Sequence, residues 1–139
     1  MKTIMRSLFL CLCMLLSTTA VYAQQDAKAL YKEGKELYDA GKYNKAVPKL
    51  KAAAELGNKK AQYRLGRCYD KGYGVTENNK KAVELYAKSA AQGYDKAQYR
   101  LGQCYEKGKV VKKDMKQARY WYEKAAAQGY DKAIEALKK

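Results

Sequence analysis

Few residues in this chain could do covalent chemistry. Past the first 23 residues there is one serine, Ser89, one threonine, Thr76, and no histidine anywhere in the sequence. A serine–histidine couple therefore cannot be assembled, and no imidazole is available to hold zinc. Ser89 has no Ser-x-x-Lys context, and the glycines beside Val75 are not followed by the Gly-Lys-Ser/Thr of a phosphate loop. Asp70 and Glu106 could be read as paired carboxylates. They lie 36 residues apart at matching places in a duplicated segment, so the simpler reading is solvated surface. Cys68 and Cys104 share the same step and form no CxxC pair. Buried small apolar residues are the main reading and a bridge is the other, because equivalent points on stacked helices sit roughly 8–10 Å apart, beyond disulfide reach. A noncatalytic chain with no cofactor and no metal is expected.

What does recur is a recognition pattern. Lys60, Tyr63, Arg67 and Asp70 fall at i, i+3, i+7 and i+10, and Lys96, Tyr99, Gln103 and Glu106 repeat them 36 residues on. Lys28, Tyr31, Lys35 and Tyr38 extend the ladder toward the N-terminus. Such spacing puts each set on one helix face, opposite an apolar stripe. Tyrosine offers flat apolar area with a polar tip and lysine offers charge, a combination suited to an extended partner carrying carboxylates. The competing reading is a solvated ridge whose rings lie along lysine stems.

The elements that must carry this face are written as a repeat. KAQYRLGRCYDKG at 60–72 returns as KAQYRLGQCYEKG at 96–108, and Leu65, Leu101 and Leu137 keep a step of 36, as do Ala46, Ala82 and Ala118. That period marks a solenoid of stacked units. Within a unit the apolar spacing is helical twice: Ala61, Leu65, Cys68 and Tyr69, then Ala82, Leu85, Tyr86, Ser89 and Ala90. Trp121 and Tyr122 occupy the second stripe of the next unit. Gly66 and Gly102 fall inside the first helices, where glycine costs about 1 kcal/mol relative to alanine, so a close helix crossing is expected there. Gly57, Gly93 and Gly129, and likewise Gly72 and Gly108, suit left-handed helix ends. Asn78 and Asp114 are candidate N-caps, Asp114 with Gln117 in capping-box spacing. Pro48 falls early in a helix, at the expense of one hydrogen bond.

Residues 1–23 are of another kind. Lys2 and Arg6 precede an apolar run from Leu8 to Leu16 and a Val21-Tyr22-Ala23 ending, which reads as a signal peptide cleaved before Gln24. An uncleaved anchor is disfavoured because the run is short. A lipoprotein leader is disfavoured because leucine precedes both Cys11 and Cys13. The expectation is an exported protein, periplasmic or secreted, with no transmembrane segment once the leader is gone. The whole chain carries a net charge of +15, and without Lys2 and Arg6 it carries +13. That field favours anionic partners, with nucleic acid unlikely for an exported chain. Solubilising lysines on exposed ridges are the alternative account.

Ala61, Leu65, Gly66, Tyr69, Gly72, Gly74, Val75, Lys81-Ala82, Tyr86, Lys88, Ala90 and Gly93 resemble the Sel-like repeat (SLR), a branch of the tetratricopeptide-repeat superfamily. The next unit, Ala97 through Leu101-Gly102, Tyr105, Gly108, Asp114, Ala118, Trp121-Tyr122 and Lys124-Ala125-Ala126 to Gly129, resembles it more closely still in its second helix. Val110 stands where the first copy has Gly74, so a differently shaped loop is expected. The opening unit resembles a plain tetratricopeptide repeat through Gly34, Gly41, Tyr43 and Ala46. The resemblance implies an all-α fold, a right-handed α-solenoid of antiparallel helix pairs. Its expected divisions are a 1–23 signal peptide, a tetratricopeptide-like repeat at 24–57, Sel-like repeats at 58–93 and 94–129, and a C-terminal capping helix at 130–139. It implies a scaffold that binds a protein or peptide through a concave groove lined by the lysine and tyrosine ladder, which suits an acidic partner. A binder of an anionic cell-envelope polymer or lipid surface is the alternative. Secreted members with two bridged cysteines per repeat differ from this chain, which has one per full repeat.

Overall fold

The computed structural model describes residues 1–139, apart from the side chains of Cys13, Leu15 and Leu16, so the lipoprotein question at Cys13 lies outside the described residues. Seven helices follow one another: α1 (Lys2–Asp39), α2 (Tyr43–Glu55), α3 (Lys59–Lys71), α4 (Asn79–Ala91), α5 (Asp95–Lys107), α6 (Met115–Ala127) and α7 (Asp131–Leu137). Each packs on the next, and α1 also touches α3. The result is an all-helical solenoid of antiparallel pairs, with no strand among the described residues.

The apolar stripes read from sequence make the core. Ala46, Leu50 and Ala53 of α2 meet Ala61, Leu65 and Cys68 of α3, while Ala82, Tyr86 and Ala90 of α4 meet Ala97, Leu101 and Cys104 of α5. Small residues let the helices approach closely, and one large side chain per pair, Leu50, Tyr86 and Tyr122 in turn, fills the space left. The expected close crossing at the mid-helix glycines is present. A methyl group added at Gly66 would lie 2.8 Å from Tyr86 Cε1, and one at Gly102 would lie 2.6 Å from Tyr122 Cε1. Cys68 and Cys104 are buried free thiols. Burial pushes the Cys68 thiol up to about 11 and raises that of Cys104, so both stay neutral and weakly nucleophilic near pH 7.

A buried polar ladder, unannounced by the apolar pattern, ties the units together. Gln62 and Gln98 each donate to a carbonyl of the preceding helix, Ala54 and Ala90, at 3.3 Å. Gln92 donates to Gln62 at 2.8 Å and Gln128 donates to Gln98 at 2.9 Å. The buried hydroxyl of Ser89 donates to the Lys59 carbonyl at 2.7 Å. These bonds satisfy groups whose unpaired burial would cost about 1–3 kcal/mol each.

Helix ends follow the expected punctuation, with two corrections. Asn78 accepts from the Lys81 amide, and Asp114 accepts from the Lys116 and Gln117 amides. No reciprocal capping box forms at Asp114, because its own amide already donates to the Tyr105 carbonyl at 3.0 Å. The loop at Val110 is not reshaped either: Val110 takes φ +69°, matching the +68° of Gly74. Gly74 is confined by the Tyr43 carbonyl, whereas Val110 stands 52% exposed, so there the side chain fits and the backbone bears the strain. A β-branched residue in this region is strained by roughly 1–2 kcal/mol. Val110→Gly is therefore expected to stabilise the fold by about 0.5–1 kcal/mol after the entropy of the freer unfolded chain is subtracted, read as a raised urea midpoint. A lowered midpoint would show that Val110 packs more tightly than its exposure indicates.

The two seams between successive units are closed by different chemistry at one position. In the first, Tyr73 stacks on Tyr43 at 4.4 Å between ring centroids and meets Tyr38 edge-on at 6.3 Å. In the second, Lys109 takes the place of Tyr73 and donates to Asp70 at 3.0 Å.

At the N-terminus, α1 runs unbroken through Ala23. Leu8, Phe9, Leu10, Leu12 and Met14 are exposed, and burial against the solenoid begins only around Ala27. The run from Leu8 to Leu16 is short by itself, yet the helix around it holds an 18-residue window long and apolar enough to cross a membrane. A signal sequence and an anchor both have this property, so length does not separate the two.

Candidate functional site

The first helices α1, α3 and α5 carry the lysine and tyrosine ladder. Lys28, Lys35, Lys60 and Lys96 are exposed, while Tyr31, Tyr63 and Tyr99 are half-buried. The tyrosines thus do not stand free of the core. Tyr63 packs on Tyr94 at 5.3 Å and on Tyr86 at 5.9 Å between ring centroids. Tyr99 packs on Tyr130 at 5.4 Å and on Tyr122 at 5.6 Å. Tyr63 and Tyr99 are each wedged between the second helix of their own unit and the tyrosine that opens the next.

That arrangement brings in residues the helical spacing did not single out. Tyr94 and Tyr130 immediately precede α5 and α7. Burial pushes the Tyr94 phenol up to about 12 and raises that of Tyr130, so both remain neutral donors. Arg64 donates to the Tyr31 hydroxyl at 3.3 Å, pairs with Asp39 at 3.0 Å and lies 5.0 Å from the centre of the Tyr38 ring. Its counterpart Arg100 donates to Gln103 at 3.1 Å. The steps Tyr94 to Tyr130 and Arg64 to Arg100 are both 36, a signal that recurrence alone would have yielded.

The remaining ladder positions are engaged within the protein. Asp70 has a side chain only 15% exposed and is held by Lys109, and Glu106 accepts from the Tyr122 hydroxyl at 2.7 Å. Neither is the freely solvated carboxylate expected of it. Gln103 donates to the Tyr99 hydroxyl at 2.9 Å, and Lys35 pairs with Asp39 at 2.7 Å. Arg67 is half-buried, with an Nε that has no hydrogen-bond partner. Among the described residues, no group of three or more cysteine, aspartate or glutamate side chains is placed to hold a metal ion. The face is therefore a strip of phenol edges and arginines, fringed by the exposed Lys28, Lys60 and Lys96.

Comparison with known proteins fits this geometry. Residues 59–94 and 95–130 match the Sel1 repeat, and residues 31–72 match a tetratricopeptide repeat. Among solved structures, the chain is similar to a Sel1 repeat protein from Oxalobacter formigenes, with 43% identity over 77% of this chain and 44% of that one, at a TM-score of 0.73. It is also similar to a protective antigen present in uropathogenic Escherichia coli strains and displaying an SLR fold, with 29% identity over 79% of this chain and 24% of that one, at a TM-score of 0.73. Helicobacter pylori cysteine rich protein B shares the fold at 24% identity over 81% of this chain and 96% of that one, with a TM-score of 0.65. The chain spans less than half the length of the first two. No curated protein matches it. Two tandem Sel1 matches over the region that forms α3 to α6, preceded by a tetratricopeptide unit, place this chain in the Sel1 repeat family of the tetratricopeptide-repeat superfamily.

Proposed function

We propose that the chain is exported by its N-terminal leader, cleaved before Gln24, and serves as a noncatalytic scaffold that holds an extended acidic segment of a partner protein along the face of α1, α3 and α5. Repeats of this family generally mediate protein–protein interactions. The observation that carries the reading is periodic: Lys60, Tyr63 and Arg64 return as Lys96, Tyr99 and Arg100, each tyrosine locked by a ring from the next unit. A rigid, evenly spaced row of phenol edges and cations is preorganised for an extended chain, which lowers the ordering cost of binding. The half-buried tyrosines supply position and the exposed Lys28, Lys60 and Lys96 supply attraction.

Fluorescence anisotropy with a C-terminally amidated Glu/Asp-rich dodecapeptide tests the reading, its Gln/Asn counterpart serving as control. Joint Lys60→Glu and Lys96→Glu changes, both at exposed sites, are expected to weaken the acidic peptide at least about tenfold. The same charge change at Lys112 and Lys113, in the exposed loop before α6, should cost less than about threefold. Equal losses from the two pairs would replace the groove with a diffuse basic surface, the behaviour of a binder of anionic envelope polymer or lipid. The mass of the exported chain's N-terminus reads the leader half of the proposal, an intact Met1 counting against it.

A further inference from the structure

The two Sel1 units are near-copies, so a polar group satisfied in one and orphaned in the other stands out. In the third pair of helices Tyr122 on α6 donates to Glu106 on α5 at 2.7 Å, and Gln103 is bonded to both Tyr99 and Arg100. Every polar group named there is answered from within the chain. One unit earlier the same positions hold Tyr86, Asp70 and Arg67. Asp70 is one methylene shorter than Glu106 and is drawn to Lys109 across the seam. The Tyr86 hydroxyl, on a residue 2% exposed, has no hydrogen-bond partner, and neither does Arg67 Nε. The groups whose charge reaches this hydroxyl are Asp70, Arg100, Tyr63 and Arg67. Both arginines act on this hydroxyl, and the one carboxylate among its neighbours is held by Lys109. A buried donor left without a partner is destabilising, and two of them stand in this unit, although Arg67 also bonds Tyr63.

We infer that the Tyr86 hydroxyl and Arg67 Nε form a carboxylate-binding pocket, flanked by Arg100 and Tyr63, in which a carboxylate of the partner takes the place that Glu106 fills against Tyr122. The inference rests on the acidic-segment reading above and names the point where that segment is anchored. The chain's own side chains cover the hydroxyl, so a ligand enters by displacing the Arg67 head group, which then turns its donors onto the incoming oxygens. A charge-assisted pair of this kind is the strongest contact the face can offer.

Glutarate, with glutaramide as its neutral counterpart, probes the pocket directly through the arginine Nε–Hε resonances of the full chain. The Arg67 resonance is expected to shift with glutarate, at an affinity on the order of millimolar, and not with glutaramide. Tyr86→Phe should weaken glutarate about fivefold and leave the thermal midpoint unchanged or higher, because it removes only an unanswered hydroxyl. Tyr122→Phe, which breaks an existing bond, should lower the midpoint without touching glutarate. An Arg67 resonance that ignores glutarate, or responds equally to glutaramide or equally in Tyr86→Phe, overturns the pocket. Glutarate binding without acidic-peptide binding keeps the pocket and removes the groove, whereas peptide binding indifferent to Tyr86→Phe does the reverse. A Tyr86→Phe loss seen with amidated peptides assigns the pocket to side-chain carboxylates, and one seen only with a free C-terminus assigns it to the terminal carboxylate.

Discussion

Leu101→Ala is expected to cost about 2–5 kcal/mol, the range for a fully buried leucine whose cavity cannot collapse. Leu101 is 3% exposed and packs in the cluster of Ala82, Val83, Tyr86, Ala90, Ala97 and Cys104. Half of these neighbours are alanines, which have no flexible side chain to swing into the void, so the cavity closes only in part. Domains of this size hold about 5–15 kcal/mol in total, and a solenoid transmits the loss to both neighbouring units. Urea unfolding of the full chain, followed by helical circular dichroism, measures it. An unchanged midpoint would mean that α5 does not carry the core.

Gly102→Ala is the second large effect and runs against local propensity. Alanine in a helix interior gains about 1 kcal/mol over glycine, so an open site would become more stable. Here the new methyl would lie 2.6 Å from Tyr122 Cε1 and 3.1 Å from the Ala118 carbonyl oxygen. The ring can move only by disturbing its bond to Glu106 and its packing on Tyr99, and the carbonyl belongs to the backbone. Overpacking of this kind costs about 1–3 kcal/mol net. A double-mutant cycle locates the cause: in a Tyr122→Leu background the penalty should shrink by at least half, because the ring is gone. A Gly102→Ala protein as stable as the parent would show that α5 and α6 sit farther apart than described.

The helix pairs, the glycine ends and the close crossings were legible because each is a local demand repeated at one step. A left-handed turn needs glycine at Gly72 and Gly108 whatever lies beyond, and two copies make the reading firm. Val110 escaped because its backbone is set by the loop's closure between α5 and α6, which overrides the preference of the residue. The binding face was legible in part. Spacing on α3 put Tyr63 opposite the apolar stripe, yet the ring is half-covered because Tyr94 arrives from the start of α5, a contact that a single helix's periodicity does not contain. Asp70 and Glu106 read as twins by position. They diverge because one methylene decides whether a carboxylate reaches the tyrosine or the lysine across the seam. Gln62 and Gln98 were invisible for the opposite reason: a buried amide is announced only by the carbonyl it meets.

The exchange of Tyr73 for Lys109 also gives the two joints different responses to salt. The joint between the first and second units has a cluster of tyrosine rings at this position, whose apolar contact is favoured by warming over the range where apolar burial strengthens, beside the Arg64 and Asp39 ion pair. The joint between the second and third has at that position the ion pair of Lys109 and Asp70, which salt screens. At this one position rising ionic strength therefore slackens the tether of the third unit while the ring contact that replaces it one unit earlier holds, so the ionic composition of the surroundings acts unevenly along the solenoid.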